Sequence, residues 1–122
     1  MKNCSPQSVV QAQLDAYNAK EIDALLRTYA PDAEQFTLHG ERLAKGHAEM
    51  HPRFMQRFSE PHLHARLISH SVIGNVVMDV ESITRDFPEG VGTPELLCLY
   101  EVREGLIQRA SFMTGEKTLH AG

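Results

Sequence analysis

The run HLHARLISHSVIGNVVMDVESITR, residues 62–85, holds two alternating segments separated by Gly74 and Asn75. A two-residue turn there pairs the segments as an antiparallel hairpin. Val72 then faces Val77, His70 faces Asp79, Ile68 faces Glu81 and Arg66 faces Ile83. Side chains alternate with a period of two along a strand, so the hairpin has two chemically distinct faces. One carries His64, Arg66, His70, Asp79, Glu81 and Arg85, and the other Ala65, Leu67, Ser69, Ser71, Met78, Val80, Ser82 and Thr84. A sheet that encloses a ligand is expected to turn small, apolar and hydroxylic residues inward. The pattern therefore predicts methyls and hydroxyls toward a cavity and charged groups away from it.

Upstream of the hairpin the periodicity is helical. Ser5-Pro6 is a helix start, because serine can cap free amides and proline is tolerated in the first turn. Val10, Gln13, Leu14 and Tyr17 recur on one face of a helix running to about Ala19. A second helix from Glu21 presents Ile22, Leu25, Leu26 and Tyr29, and Pro31 stops it; Gln35 to His39 then reads as a short strand. Gly46 introduces a third helix in which Met50, Phe54 and Phe58 mark the apolar edge. Pro52 leaves two alternatives, a helix starting at the proline or one starting at His47 and kinked. Downstream, residues 62–73, 76–87, 95–104 and 106–115 read as strands, the last pair joined around Glu104 and Gly105. Helices followed by an antiparallel meander indicate an α+β fold in one domain, residues 1–122. The connection from Pro88 to Pro94 is rich in turn residues and is a candidate flap at a rim.

The 122 residues suit one core, and 42% hydrophobic with 23% charged residues is ordinary for a globular chain. A formal charge of −4 offers no general attraction to nucleic acid or anionic lipid, so neither is expected as a partner. No apolar run reaches the roughly 20 residues of a membrane helix, and Met1 to Ser5 lacks the form of a signal sequence. The expected location is the cytoplasm, with Cys4 and Cys98 as reduced thiols outside any disulfide framework.

Three stretches carry a family resemblance. Val9-Val10-Gln11, Tyr17 through Leu25 and Tyr29-Ala30-Pro31-Asp32-Ala33 resemble paired N-terminal helices; Gly46 opens the helix bearing Phe54 and Phe58; and residues 115–122 are similar to the end of a bacterial ketosteroid isomerase. Together they resemble the SnoaL-like and ketosteroid-isomerase-like branch of the NTF2-like superfamily. The resemblance implies an NTF2-like cone (cystatin-like), with N-terminal helices packed on a strongly curved, mainly antiparallel sheet. That architecture hosts isomerases, hydrolases, cyclases and binding proteins, so it specifies fold more sharply than chemistry. The isomerase mechanism needs a carboxylate base with tyrosine and protonated aspartic acid donors. The matching positions here hold Thr37 for the base, Gln13 for the tyrosine and Cys98 for the second donor. Epoxide-hydrolase relatives use an inward arginine and aspartate on the strand matching residues 78–86, where the expected inward residues here are Ser82 and Thr84.

Among the remaining candidates, His39 has the side chain best suited to acid–base work near neutrality, with a solvated rim histidine as the competing reading. Tyr17 and Tyr100 can polarise a ligand oxygen or serve as core. Cys98, between Leu97 and Leu99, reads as a small buried residue. His47 and His51 have a metal-compatible spacing and His62 and His64 share a strand face, but Ala48 breaks the zinc-protease pattern. Solvated histidines, no metal and no cofactor are expected.

The resulting expectation is a cone holding a small, mainly apolar, carbonyl- or hydroxyl-bearing ligand. Its expected lining is Gln13, Tyr17, Phe36, Thr37, Phe54, Phe58, Met78, Val80, Ser82, Thr84, Leu96, Cys98, Tyr100 and Phe112. Any catalysis would be isomerase-type proton transfer with His39 as base and Tyr17, Tyr100 or Gln13 on oxygen. The competing class is a dimeric scaffold whose cavity is filled by its own side chains. The charged hairpin face is expected to join two copies as a homodimer, or to be free surface.

Overall fold

Ser5 caps the first helix, α1 (Pro6–Ala19), by accepting a 3.1 Å bond from the Ser8 amide at its Oγ, and Lys20 ends it in a left-handed conformation. The computed structural model describes residues 5–120; Cys4 and the last two residues of the tail, on which the thiol and family readings partly drew, lie outside them. A short α2 (Ile22–Arg27) follows, then β1 (Tyr29–Thr37), β2 (Arg42–Lys45) and α3 (Gly46–Phe58). The remainder is β3 (His64–Ile73), β4 (Val76–Phe87), β5 (Gly90–Gly92), β6 (Glu95–Arg103) and β7 (Leu106–Thr114). The sheet runs β2-β1-β7-β6-β4-β3 with β5 on β4, and every pairing is antiparallel except β1 with β7. The helices cover one face of this curved, mainly antiparallel sheet, α1 over β3, β4, β6 and β7 and α3 over β1 and β2. No helix among the described residues is long and apolar enough to cross a membrane.

Tyr29 departs from the expected helical stripe. The helix stops at Arg27 because the Thr28 carbonyl accepts from the Ile107 amide at 2.8 Å, drawing the chain into the sheet beside β7. Pro31 therefore interrupts a strand, and the β1–β7 register slips between Tyr29 and Glu34. The third helix passes through Pro52 from a start at Gly46, so a start at the proline is excluded. Gly46 is required there: its φ is +80°, and a Cβ would sit 3.3 Å from the Pro31 carbonyl oxygen. The segment expected to be a flap is a tethered strand, held on β4 and to the C-terminal segment by backbone bonds from the Thr93 amide to the Thr118 carbonyl and from the His120 amide to the Val91 carbonyl.

The hairpin turns at Gly74, whose φ of +59° suits the first position of a tight hairpin turn. Val72 opposes Val77 and His70 opposes Asp79 as expected. Ile68 is a bulge: the register shifts between Leu67 and Ser69, so Leu67 opposes Glu81, Ala65 opposes Ile83 and Arg66 opposes Ser82. The expected pairings of Ile68 with Glu81 and Arg66 with Ile83 are replaced, since one extra residue reverses which side chains share a face.

Candidate functional site

The bulge does not alter the parity of β4, and there the expected inside and outside are exchanged. Val77, Asp79, Glu81 and Ile83 are buried at 0%, 2%, 4% and 5% exposure, whereas Met78 is 39% exposed. The cause lies in the neighbouring strand. Tyr100, Cys98 and Leu96 of β6 point into the cone, and they stand directly opposite Val77, Asp79 and Glu81. Directly opposed residues in a ladder share a face. Met78, Val80, Ser82 and Thr84 thus lie on the outer face, with Leu97 and Leu99, and leave the proposed lining. The charged groups taken for an outer interface include the buried pair and the inward Arg85.

Inside the cone is a cavity of about 410 Å³. Helix α1 contributes Gln13, Leu14 and Tyr17, and α3 contributes Arg53, Phe54 and Arg57. Tyr29, Gln35 and Thr37 come from β1, and Leu96, Cys98, Tyr100 and Phe112 from β6 and β7. Glu81, Ile83 and Arg85 complete the wall from β4. Two other expected lining residues are displaced. Phe36 lies on the opposite face of β1 from Gln35 and Thr37, where the Arg109 guanidinium sits 3.9 Å from its ring centre. Phe58 is buried behind the wall, edge-on to Tyr17 and stacked with Phe54.

Glu81 is the unexpected group. Its carboxyl borders the cavity and, among the described residues, accepts no hydrogen bond. Burial, followed by the neighbouring Asp79 charge, pushes its pKa up to about 7. Asp79 sits deeper and is matched: His70 Nδ1 lies 2.6 Å from its Oδ1. That pairing leaves His70 Nε2 buried without a partner among the described residues. One carboxyl of the inner face is thus held by a histidine, and the other is left available to the cavity.

Hydroxyls line the same cavity as this carboxyl. Tyr100 donates to Gln13 Oε1 at 3.4 Å, and Gln35 Nε2 donates to the Tyr29 hydroxyl at 3.5 Å. Both bonds are long, so the hydroxyls can exchange them for a ligand oxygen at little cost. Burial raises the pKa of Tyr17, Tyr29, Tyr100 and the Cys98 thiol, keeping all four neutral and available as donors. Gln13, Thr37 and Cys98, the three positions implied by the ketosteroid isomerase resemblance, share this cavity wall. None carries a carboxyl, and the Thr37 hydroxyl accepts from the Glu41 amide at 3.1 Å. The inward residues opposed to the hydrolase expectation are Glu81 and Arg85 in place of Ser82 and Thr84.

His39 lies in the turn between β1 and β2, exposed and at the cavity mouth. The other histidines are scattered: His47 Nε2 contacts the Tyr29 carbonyl at 2.9 Å, and His62 Nδ1 lies 2.6 Å from Asp86 Oδ1. Among the described residues no three histidine, cysteine or acidic side chains converge as metal ligands. Glu81 could have been found from sequence by fixing the β4–β6 register, because Leu96 and Cys98 were already assigned inward. Arg53 and Arg57 follow from helical spacing beside Phe54, as the polar rim of an amphipathic helix.

The fold has many solved counterparts. An uncharacterised cystatin-fold protein from Novosphingobium aromaticivorans matches with a TM-score of 0.84 at 22% identity, covering 91% of this chain and 99% of its own. A candidate polyketide cyclase from Sinorhizobium meliloti matches at 0.73 and 22% identity over 86% of this chain and 93% of that one. A candidate ketosteroid isomerase from Kribbella flavida matches at 0.78 and 14% identity over 96% and 82%. At these identities the likeness is one of fold. No curated protein matches the chain. The family model of the SnoaL-like domain matches residues 10–110, and the chain, with its helices on a curved sheet around a polar-walled cone, belongs to that family.

Proposed function

We propose that the cone binds a small, mainly apolar molecule bearing a carbonyl or hydroxyl group, steroid- or polyketide-like in size, and that Glu81 moves a proton beside that carbonyl. The observation that carries this reading is a buried carboxyl, unpartnered among the described residues and facing a cavity of about 410 Å³, where burial and the Asp79 charge push its pKa up to about 7. A cavity of that volume lies in the range of roughly 300–1,000 Å³ used for small ligands. Ionised Glu81 takes a proton from the carbon next to the carbonyl, and the C–H electron pair moves into an enolate. A neutral Tyr17 or Tyr100 hydroxyl, with the Gln13 amide, donates to the enolate oxygen. Glu81 then returns the proton to another carbon. A base with a pKa near the working pH is well matched to both steps. His39, at the mouth, is assigned proton exchange with solvent.

The fold neighbours described as a candidate polyketide cyclase and a candidate ketosteroid isomerase support the ligand class. An interior filled by its own side chains, the competing scaffold reading, is disfavoured by the open cavity. The reading places the protein in the cytoplasm, in keeping with the free buried thiol of Cys98. It also makes the protein a homodimer through the outer sheet face, where Met78, Val80, Leu97 and Leu99 supply apolar area.

The test is deuterium exchange at carbon, followed by NMR, with a panel of cyclic ketones in heavy water. Exchange should rise with pH through about 7 and fall about 10²–10⁴-fold in Glu81→Gln. Unchanged exchange in that variant would remove Glu81 from the chemistry, and full loss in His39→Ala with Glu81→Gln active would return the role to His39.

A further inference from the structure

The cavity wall carries more positive charge than the fold consumes. Arg53 and Arg57 stand one turn apart on α3, and Arg85 lies two inward positions beyond Glu81 on β4, with Ile83 between them. All three border the main cavity and also a smaller one of about 140 Å³, which Gln56 and Glu60 complete. Glu60 is the acid among them. Its two oxygens accept from Arg85 Nε and Nη2 at 3.2 and 2.7 Å, Oε1 also takes the Asp86 amide at 3.0 Å, and Arg57 Nη1 reaches Oε2 only at 3.6 Å. Asp86 is occupied by both the backbone and the ring of His62, and Glu81 shares the main cavity with the three arginines without a salt bridge to any of them. Lys20 adds a further cation, its Nζ 2.8 Å from the Glu60 carbonyl.

Arg53 has no acidic partner among the described residues. Burial and the adjacent Arg57 both act against its charge. Arg53 is an exposed residue of the cavity rim whose guanidinium is partly covered beside Arg57, and an anion arriving there would offset the repulsion between the two cations. The chain as a whole is negative, at −4, so this cluster is not a sample of a generally basic surface.

We infer that the ligand of the cone is an acid: an apolar body lies in the cavity, and a carboxylate at its end is received by Arg53 and Arg57 at the arginine end. Glu60 already shows how the cluster grips a carboxylate, through the planar fork of Arg85. The four residue steps from Glu81 to Arg85 span on the order of 13 Å along the strand, which sets these two residues apart on the cavity wall. This inference rests on the reading of the cone as a ligand site and is independent of the chemistry assigned to Glu81.

Calorimetric titration with decanoate and decanol, which share an apolar chain and differ in the head, tests it. Decanoate should bind at least about tenfold more tightly than decanol. Arg53→Gln should weaken decanoate about tenfold and leave decanol unchanged, and raising salt from about 50 to about 500 mM should weaken decanoate alone. Because Arg53 is exposed and makes no bond to the rest of the fold among the described residues, the variant should fold normally; a matching unfolding midpoint checks this. Equal binding of the two compounds, or a decanoate preference that survives Arg53→Gln and Arg53→Gln/Arg57→Gln, would overturn the inference while leaving the ligand site intact. Binding of neither compound to the wild type would overturn both.

Discussion

The two faces of β4 differ in the opposite sense from an ordinary half-buried strand. Asp79, Glu81 and Arg85 are on the covered side with Val77 and Ile83, while Val76, Met78 and Val80 are on the uncovered side with Ser82 and Thr84. Hydrophobicity normally marks the interior of a strand, because burying charge without partners costs several kcal/mol. Here the interior contains a cavity and two carboxyls with different fates. His70 holds Asp79, and Glu81 is relieved by gaining a proton near neutrality. The outer face is free to be apolar where a second subunit would cover it. A strand between a cavity and the proposed subunit interface has no reason to obey the usual polarity rule.

Adjacent residues provide the sharpest way to break this comparison. Val77→Asp should cost about 4 kcal/mol in urea unfolding, because it adds an unmatched charge at a site with 0% exposure. Met78→Asp, one residue on, should cost about 1 kcal/mol or less in the folded subunit and release monomers in sedimentation. Equal losses at the two positions would cancel the distinction between the faces.

The next effect concerns Glu81 and depends on pH. Its folded pKa of about 7 lies above the ordinary 4.5, so the folded state holds the proton more tightly and loses stability as pH rises between those values. Glu81→Gln should therefore gain on the order of 3 kcal/mol over the wild type at about pH 8 and nothing at about pH 4. A difference independent of pH would mean that the carboxyl is solvated.

Asp79→Asn should cost about 2 kcal/mol by weakening the bond to His70. Because it also removes a like charge beside Glu81, carbon-13 NMR should follow the Glu81 midpoint downward from about 7; an unmoved midpoint would separate the two carboxyls electrostatically. The smallest effect belongs to the outer hydroxyls. Ser82→Ala should change unfolding by less than about 0.5 kcal/mol and leave ketone binding untouched, whereas a weakened affinity would restore that face to the cavity.

Much of the architecture could be read locally. Ser5 with Pro6, Gly74 with Asn75, and Glu104 with Gly105 set a helix start and two hairpin turns, and the helical spacing of Gln13 and Tyr17 brought both to the cavity. Leu96, Cys98 and Tyr100 do line the cavity, although Leu97 and Leu99 make the other face of β6 equally apolar. The failures share a cause. Ile68 has no local mark that distinguishes a bulged isoleucine from a paired one. Tyr29 fits a helical stripe until the Thr28 carbonyl finds Ile107 across the sheet. On β4, counting apolar side chains selected the wrong face, and with it Met78, Val80, Ser82 and Thr84 in place of Glu81, Ile83 and Arg85.

The amino-acid order determined the helices, the long strands of the meander, their two hairpin turns and the division of β4 into two alternating sets, because steric limits and hydrogen-bond geometry act over a few residues. Only the tertiary structure decided which set faces the cone. Alternation is unchanged when a strand is turned over, and the choice is made by distant partners: Cys98 and Leu96 opposite Asp79 and Glu81, His70 on the carboxylate, and α1 closing above them.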